Sequence, residues 1–455
     1  MSLLNKIFEY RKSAKRYLFT TPSHAQGEFL IPLLEKMLGK KYFECDYSET
    51  DGFDNIRHPK GAIKALLQKI STIYTANSFI LTNGSSSGIM AIMMSILKDN
   101  DEVLIARNCH ESVYNGLVLT GARPVWFMPE YDTEWGIFKG INPEQIEKKL
   151  RANPFIRAVI ITSPTYEGIL SDIEAISEVT KKYNVALIVD EAHGALLNFY
   201  ENEYRAAVLK GADASVQSLH KNAGALNPCA LLHLSKKSVI NFQKVQECLN
   251  TLNTTSPSYP SILGAEASVD FLFSQKGREE LNNLISNIKS FKEKLEANSS
   301  FKIYSDYNDI TKILIKADGI SALKIADILN NKFNIEEEFS TQKSLLFLTG
   351  IGTTKKKLDI LLKNLLSINL TEFEENSKEE NQKTDFCLPQ MIYSPREAFF
   401  KASRSVNKNE AIGKISHELV IAYPPGVPSI IPGELITEEN IILIEGDTID
   451  ICSSD

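Results

Sequence analysis

The sequence predicts an α/β protein with a mostly parallel central sheet that helices cover on both faces. From about Pro59 onward, short β-rich runs alternate with amphipathic helical stretches. Runs such as EVLIA (Glu102–Ala106) and IRAVIITSP (Ile156–Pro164) are apolar at successive positions, which is typical of strands buried on both faces. Strands of that kind, separated by helices, indicate a parallel sheet between two helical layers.

The predicted elements of this sheet follow one another as pairs of a strand and a helix. The strands are SFILTNG (Ser78–Gly84), EVLIA, RPVWFM (Arg123–Met128), IRAVIITSP, VALIVDEAHG (Val185–Gly194, with its exit loop), ASVQS and CALLHL. The helices between them are SSSGIMAIMMSIL, CHESVYNGLVLTGA, PEQIEKKLRA and DIEAISEVTKKYN. Ligands of an open sheet bind at the carboxyl ends of its strands, so polar motifs at those ends form the candidate site.

Length and a change of pattern along the chain predict several domains. A chain of 455 residues is too long for one small core. From Pro260, long helical stretches lead to the predicted strands KILIKA and SLLFLTG, and the later stretch TEFEENSKEENQKT is polar and acidic without periodicity. The predicted units are an N-terminal segment (1–58), a large domain (59–260), a small α+β domain (261–370), a linker (371–384) and a C-terminal domain (385–455).

Composition and charge exclude several classes of function. The formal net charge is −7, so no basic surface indicates a nucleic-acid or anionic-lipid partner. No apolar run is long enough to cross a bilayer, and the stretch MSLLNKIFEYRKSAKRY lacks the apolar core of a signal peptide. The six cysteines are scattered without metal-ligand spacing, which is typical of reduced thiols. We therefore expect a soluble, cytoplasmic protein without a metal site or a membrane partner.

The first motif with chemical potential is NGSSSG (Asn83–Gly88), between a predicted strand and a predicted helix. Its small residues allow the backbone to approach an anion closely. The helix N-terminus supplies free N–H groups, and the hydroxyls of Ser85, Ser86 and Ser87 add donors. The motif therefore predicts a phosphate cradle, although a serine N-cap is the simpler interpretation of this motif alone.

The second motif is DEAHG (Asp190–Gly194), which follows the apolar run VALIV. A carboxylate at a strand end needs a partner for its charge. In a pyridoxal-phosphate (PLP) site such a carboxylate keeps the pyridine nitrogen protonated, which makes the ring an electron acceptor. A metal-ligand pair or a nucleotide-site acid is the alternative, but the chain has no GxxxxGK[ST] motif for a nucleotide.

The third motif is SLHK (Ser218–Lys221), after the predicted strand ASVQS. A lysine at a buried strand exit is costly unless it has a function. Desolvation and nearby cations lower the pKa of such a lysine, which allows it to form an imine. Ser218 and His220 are both placed to reach a phosphate. For an isolated HK pair, an ordinary lysine in a surface turn is the preferred alternative.

The fourth motif is RNCHES (Arg107–Ser112), directly after the predicted strand EVLIA. His110 in this position is able to stack on a flat cofactor ring or to act as an acid or base. A capped helix start is the simpler interpretation, and a lone histidine is weak support for a site.

The order of the four motifs is more informative than any one of them. A phosphate cradle, a stacking histidine, a strand-end acid and a strand-end lysine occur in sequence, each on its own β–α unit. A PLP-dependent enzyme of transferase fold type I requires that set. We therefore predict this fold, with PLP held as a Schiff base by Lys221 and with Asp190 facing the pyridine nitrogen.

The same motifs resemble a known family, the Orn/Lys/Arg decarboxylases, and are similar to its short form without a wing domain. The matching stretches are TPSHAQGEF, DGFDNIRHP, LTNGSSSGIMA, VLIARNCHESVYNGLVLTGARPVW, ITSPTYEG, VDEAHGALLNF, GADASVQSLHK, SPREAFF and IAYPPGVPSIIPGE. They run from Thr21 to Glu434 in the family's order and spacing, so the resemblance is specific.

The resemblance implies a role for each motif residue. Lys221, His110 and Asp190 would be the catalytic residues that hold the cofactor, stack on its ring and pair with its pyridine nitrogen. The remaining cofactor contacts would come from Ser85, Ser86, Ser87, Ser218 and His220 around the phosphate, and from Ala192 and His193 near the ring. The implied reaction removes the α-carboxylate from arginine, lysine or ornithine and gives a polyamine or its precursor. The implied assembly is a homodimer, or a larger homo-oligomer, with the site at a subunit interface.

Two departures from the family pattern concern the substrate end of the site. The family's PGHK is PSHA here, and its leucine-rich turn after the lysine is replaced by NAGALNP (Asn222–Pro228). A basic substrate needs a carboxylate at its far end. The candidates are Glu418, Asp51 and Asp54, although the aspartates also suit a capped turn and Glu418 a solvated strand.

Two other functions stay open at this point. Another fold-type-I enzyme, such as an aminotransferase or a racemase, would share Lys221 and Asp190, so those residues do not discriminate. A non-catalytic relative would be expected to lose the lysine or the acid, and both are present.

Overall fold

The structure is a computed structural model, and it describes residues 2–13, 17–49, 53–200, 205–306, 308–370, 388–422, 427–444 and 446–453. The helices are α1 (Leu3–Ser13), α2 (Pro32–Leu38), α3 (Lys40–Phe43), α4 (Ala62–Ile73), α5 (Gly84–Ile96), α6 (Glu111–Thr120), α7 (Pro143–Ala152), α8 (Ile173–Lys182), α9 (Leu219–Asn222), α10 (Phe242–Leu252), α11 (Tyr259–Phe273), α12 (Gln275–Asn298), α13 (Ala322–Phe333), α14 (Lys355–Leu366) and α15 (Pro395–Phe400). The strands up to residue 235 are β1 (Ala76–Leu81), β2 (Glu102–Ala106), β3 (Arg123–Phe127), β4 (Tyr131–Asp132), β5 (Ile137–Phe138), β6 (Ile156–Thr162), β7 (Ala186–Asp190), β8 (Ala214–Ser218) and β9 (Ala230–Ser235). The later strands are β10 (Phe301–Ile303), β11 (Lys312–Ala317), β12 (Phe339–Ser340), β13 (Leu345–Leu348), β14 (Ser403–Asn407), β15 (Val420–Ala422), β16 (Val427–Ile430) and β17 (Thr448–Cys452).

The central sheet has seven strands in the order β1-β9-β8-β7-β6-β2-β3. The pairings from β3 to β8 are all parallel. Only β9 runs in the opposite direction, antiparallel to both of its neighbours β8 and β1. The predicted α/β fold with a mostly parallel sheet is therefore confirmed, and every strand predicted for this sheet is present.

Burial on both faces explains why these strands lack polar alternation. In β2, Val103 and Ile105 pack into one apolar cluster, while Leu104 packs into another cluster on the opposite face. All three side chains are fully buried. A strand between two helical layers gains from apolar residues at every position, so its sequence becomes a continuous apolar run.

The ends of several strands meet at one edge of the sheet. Strand β7 ends at Asp190, and β8 ends at Ser218. Ala230 at the start of β9 pairs with both Ser218 and Leu81, the last residue of β1. The turn after β1, the turn after β8 and the residues after β7 therefore lie along the same edge, where the sequence predicted the site.

The smaller sheet lies in the predicted small domain and has the antiparallel order β10-β11-β13-β12. Apolar residues of α12 and α14, such as Leu295 and Leu365, belong to the same core cluster as Ile313 and Ile315 of β11. Helix α11 runs across residue 260, so a domain boundary at that position stays a prediction. The predicted linker 371–384 lies outside the described residues.

A buried ion pair attaches the C-terminal part to the large sheet. Arg107, which directly follows β2, donates two hydrogen bonds of 2.7 Å to the two carboxylate oxygens of Glu434. Its remaining donors reach the carbonyls of Pro428 and Ser429 at 2.9 and 3.2 Å. Both charged side chains are almost completely buried, at 1% and 0% exposure. Each charge has a partner, which a buried ion pair requires.

Two kinds of feature are absent from the part of the chain that the structure describes. None of the helices there is both long enough and apolar enough to span a membrane. No group of three or more histidine, cysteine, aspartate or glutamate side chains in that part of the chain is arranged to hold a metal ion.

Candidate active site

The predicted phosphate cradle lies at the start of α5. The helix begins at Gly84, whose positive φ of 78° suits glycine, and its N-cap Asn83 makes no side-chain capping bond. The first N–H groups of a helix have no intrahelical partner, so they are available to an anion. Ser85 accepts a hydrogen bond of 2.9 Å from Ser218 at the end of β8, which joins two of the predicted phosphate-binding elements.

The other two serines of the cradle differ in their surroundings. Ser86 is half-buried at the helix start. Ser87 is buried, and its hydroxyl donates to the Gly84 carbonyl at 2.8 Å. The hydroxyls of Ser85 and Ser86 are thus better placed for a phosphate than that of Ser87, which bonds within its own helix.

The acid predicted to face the pyridine nitrogen lies at the end of β7. Asp190 is 4% exposed, and one of its oxygens accepts the Ala192 N–H at 3.1 Å. The adjacent Glu191 is bound elsewhere, by the Ala207 N–H and the Gln217 amide at 2.8 Å each. Burial raises the pKa of Glu191 to about 8. The two carboxylates therefore have different roles, and Asp190 is the one whose charge reaches Lys221.

Lys221 lies in the short helix α9, one turn after β8. Its Nζ is 3.0 Å from Nε2 of His193, the histidine of the DEAHG motif. Burial lowers the pKa of Lys221, while the negative charges of Asp190 and Glu338 oppose that change. A partly desolvated amine is the form that a carbonyl-binding lysine requires.

His193 is enclosed by the motifs that the sequence singled out. It is 6% exposed, and its Nδ1 lies 2.8 Å from Nζ of Lys312. Burial and the charges of Lys312, Lys221, His110 and His220, in that order, hold the pKa of His193 well below its ordinary value. The structure thus brings the fourth, second and third motifs together around one imidazole.

His110 and His220 have fixed ring orientations. His110 is the N-cap of α6, and its Nδ1 accepts the Ser112 N–H at 3.1 Å. Its ring is exposed in the single chain. His220 donates from Nδ1 to the Cys229 carbonyl at 2.9 Å, and burial lowers the pKa of its ring. The N-cap role expected as the simpler interpretation of His110 is present, and it orients the ring without covering it.

Three residues near the site were missed by the sequence analysis: Lys312 and Glu338 of the predicted small domain and Tyr166 in the loop after β6. Lys312 begins β11 and is fully buried. Glu338 is exposed, accepts a hydrogen bond of 2.7 Å from the Tyr166 hydroxyl, and acts electrostatically on both Lys221 and Lys312. Tyr166 in turn contacts the His193 ring edge-on, with a centroid separation of 5.0 Å. The signal for Lys312 was a lysine inside the apolar strand KILIKA, and Glu338 was one of three consecutive glutamates.

The carboxylates predicted for the substrate end occupy other surroundings. The two oxygens of Asp54 accept the backbone N–H groups of Asn55, Lys60, Gly61 and Lys64 at 2.7 to 3.1 Å. These contacts favour the turn-capping alternative for that aspartate.

Glu418 and Asp51 complete the predicted set. Glu418 is exposed, and its carboxylate accepts the Asp450 N–H at 3.0 Å. Asp51 lies outside the described residues. Neither position adds an argument for contact with a substrate, so their roles stay predictions.

Comparison with protein families assigns the chain to one of them. The major-domain model of the Orn/Lys/Arg decarboxylases matches residues 2–313, and the C-terminal-domain model matches residues 377–445. The chain belongs to the Orn/Lys/Arg decarboxylase family. It is therefore an amino-acid decarboxylase of the PLP type, as the family resemblance implied.

Named members of the family cover nearly the whole chain. An arginine decarboxylase of Bacillus subtilis (strain 168) is 30% identical over 446 residues, which are 94% of this chain and 89% of that protein. The inducible lysine decarboxylase of Escherichia coli (strain K12) is 23% identical over 550 residues, covering 97% and 76% of the two chains.

Solved structures place the fold in the same group of enzymes. A lysine decarboxylase of Francisella novicida superposes with a TM-score of 0.82 at 22% identity, covering 98% of this chain and 80% of that one. The ureidoglycine-glyoxylate aminotransferase of Bacillus subtilis has a TM-score of 0.54 at 14% identity, covering 70% and 86%. The predicted fold type I is thus confirmed.

The residues of this decarboxylase fit PLP. Two buried polar atoms near the ends of β2 and β6, Asn108 Oδ1 and Thr162 Oγ1, have no partner among the described residues. Buried polar atoms are rarely left unpaired, so a bound polar group at this edge is expected. The donors of the α5 N-terminus, the acid Asp190 and the amine Lys221 match its phosphate, its pyridine nitrogen and its carbonyl carbon, respectively.

Proposed function

We propose that this family member removes the α-carboxylate of a basic amino acid, arginine before lysine or ornithine, and so produces a polyamine or its precursor. The observation that carries the proposal concerns Lys221. Its amine is partly desolvated, and the negative charge of Asp190, the last residue of the neighbouring strand β7, acts on it. The relatives named arginine decarboxylases at 28–30% identity, against 23% for the lysine decarboxylases, support arginine as the first substrate to test.

The chain's own residues divide the work at the reacting centre. When bound, PLP supplies an electron-accepting ring. Asp190 holds a proton on the pyridine nitrogen, because a buried carboxylate favours a cation beside it. Ser85, Ser218 and the α5 N-terminus would hold the phosphate, and the exposed face of His110 would lie against the ring. Loss of the carboxylate is favoured where the site excludes water from it.

The far end of the substrate is proposed to meet Glu338. A guanidinium or ammonium group that leaves water needs a negative partner. Glu338 is exposed, is oriented by the Tyr166 hydroxyl and acts on Lys221 electrostatically. Among the carboxylates considered, it is therefore the one with both an accessible charge and an electrostatic link to the cofactor lysine.

The proposed assembly is a homodimer or a larger homo-oligomer. Helix α2 has no buried residue in the single chain. Phe19, Phe29 and Met37 in the same N-terminal segment are 98%, 79% and 71% exposed. Exposed apolar side chains concentrated in one segment of the chain favour an interface there, and a two-fold axis would present the segment on both subunits. A second copy of the chain is the partner proposed, and it would also cover the exposed His110 ring.

The test is carbon dioxide release from a panel of amino acids by the purified, PLP-loaded protein. We expect release from arginine, with the corresponding product, 4-aminobutylguanidine, detected by mass spectrometry. Transfer of the amino group to a keto acid without carbon dioxide would support an aminotransferase instead. If only a non-basic amino acid released carbon dioxide, the proposed substrate class would be wrong.

The proposed cytoplasmic location agrees with the five described cysteines, all of which are free.

A further inference from the structure

Three side chains form a continuous hydrogen-bonded row behind the cofactor site. Nζ of Lys221 lies 3.0 Å from Nε2 of His193, and Nδ1 of the same ring lies 2.8 Å from Nζ of Lys312. The row joins the turn after β8 to the first residue of β11, so it connects the large domain with the small one.

The protonation states in this row are constrained by elementary hydrogen bonding. Burial and two lysine neighbours keep His193 neutral, and a neutral imidazole has one N–H donor and one bare acceptor nitrogen. A lysine ammonium only donates. A neutral amine both donates and accepts, so both hydrogen bonds form together only when the lysine that faces the imidazole N–H is a neutral amine, while the other lysine donates either as an ammonium or as an amine.

The acids around the row favour the proton on Lys312. Asp309 is fully buried, and one of its oxygens accepts from Tyr200 and Thr311, whereas Oδ2 has no hydrogen-bond partner among the described residues. A buried carboxylate needs a cation. Burial lowers the pKa of Lys312 to about 8, with the charge of Lys221 acting in the same direction. Asp309 is the strongest charge that opposes this change, with Glu338 and Glu167 behind it.

The packing of Lys312 also fixes its position. A side chain at Gly168 would come within 2.3 Å of the Lys312 stem, so the glycine allows the lysine to lie against that turn. The ionisable groups that act on the other two members of the row are Asp190, Glu338, His110 and His220. Of these groups, Asp190 and Glu338 favour a positive charge on Lys221. Lys312 competes with Lys221 for the same proton, because His193 connects the two amines.

We propose that Lys312 is a positioning residue that, through His193, keeps the Lys221 amine unprotonated. A charged Lys312 donates to Nδ1, which leaves the N–H on Nε2 to donate to the Lys221 lone pair. A proton on Lys221 passes to Nε2 while the Nδ1 proton passes to Lys312, so charge is conserved and no solvent is needed. Only the role of Lys221 as the cofactor lysine rests on the proposed function; the proton arrangement does not.

Competitive labelling with acetic anhydride tests the proposal on the full chain stripped of cofactor. The rate of Lys221 acetylation is followed against pH by peptide mass spectrometry in the unmodified protein, Lys312→Met and Lys312→Arg. The methionine removes the charge, so the midpoint for Lys221 rises by about one pH unit and its labelling below that midpoint falls about tenfold. The arginine still donates to Nδ1, so the midpoint stays near its original value.

Lys292 provides the matched control. Its ammonium donates to the Lys312 carbonyl at 3.3 Å, burial lowers its pKa to about 8, and Asp309 acts on it, as on Lys312. It makes no described contact with His193. Lys292→Met is therefore expected to leave the Lys221 midpoint unchanged. The proposal would be overturned if the Lys221 midpoint shifted equally in Lys292→Met and Lys312→Met. It would also be overturned if the midpoint did not shift in a Lys312→Met protein whose circular dichroism spectrum is unchanged.

A second measurement needs no variant at Lys312. In the unmodified protein labelled with [15N]histidine, His193 is expected to be neutral at pH 7.5 with its proton on Nε2. His193→Asn identifies its signals. An imidazolium, or a ring with the proton on Nδ1, would contradict the proposal. Both readouts are independent of turnover, so an inactive protein with the expected midpoint and tautomer would refute the proposed function and leave this inference standing.

Discussion

At the scale of single residues, the direction of a buried charged side chain decides which groups it is able to reach. Lys221 and Asp190 lie on adjacent turns of the same sheet edge, where water is largely excluded. Glu191, one position from Asp190, has both oxygens bonded to the protein and belongs to the framework. The direction of a side chain, more than its position in the DEAHG motif, therefore separates the two carboxylates.

The assignment of Lys221 gives the first prediction. Lys221→Ala should lose the visible absorbance of the loaded protein and its activity together, because no other amine would hold the cofactor. The measurement is an absorption spectrum before and after borohydride reduction, followed by peptide mass spectrometry. Cofactor reduced onto a different lysine would contradict the assignment.

The substrate-end acid gives the second prediction. Glu338→Gln should raise KM for arginine by more than about tenfold, a loss of about 1.4 kcal/mol or more, because the guanidinium loses its negative partner. Steady-state kinetics with arginine measure KM in the variant and in the unmodified protein. Glu418→Gln is the matched comparison, since that exposed carboxylate was predicted from the sequence. If Glu418→Gln raised KM and Glu338→Gln did not, the sequence-based candidate would be the correct one.

At the scale of elements, the ends of strands and helices carry the site. Strand β8 ends in Ser218, the start of α5 presents Ser85, and the two hydroxyls bond to each other. Directly after β2, Arg107 forms the ion pair with Glu434. The Glu434 carboxylate also accepts the Ile431 N–H at 2.8 Å. The same kind of strand end thus serves the predicted phosphate site in one place and attachment of the C-terminal part in another.

The ion pair gives the third prediction. Glu434→Gln should lower the free energy of unfolding by about 3–5 kcal/mol, because the Arg107 charge stays buried without its counter-charge. Urea denaturation followed by circular dichroism measures it. The control is Asp359→Asn, which breaks an exposed pair with Lys355 and should cost less than about 1 kcal/mol. Equal, small effects would mean that the buried pair contributes no more than a surface one.

At the scale of the whole molecule, the isolated chain exposes two regions. The N-terminal segment carries exposed apolar side chains, and the His110 ring is open at the site. A second copy of the chain would cover both regions at once, which is the physical reason for proposing a homodimer.

The interface gives the fourth prediction. Sedimentation velocity should detect a dimer or a larger species, and Phe29→Asp combined with Met37→Asp should shift it toward monomer and lower activity. A charge buried in an interface without a partner costs association free energy. Phe155→Asp is the control, because that side chain is 75% exposed outside the segment. A fully active monomer at assay concentration would refute the interface.

The sequence by itself determined the alternation of strands and helices and the edge at which the motifs lie, and it predicted the lysine and acid of the proposed cofactor site. These features follow from local rules. A strand that is buried on both faces has a continuous apolar sequence, and the polar motif of a ligand site comes directly after that run. The sequence did not determine that Lys312 meets His193, 119 residues away, or that Arg107 meets Glu434, 327 residues away. Only the tertiary structure decided those contacts, because periodicity records which face of an element is buried and carries no record of which distant side chain covers it.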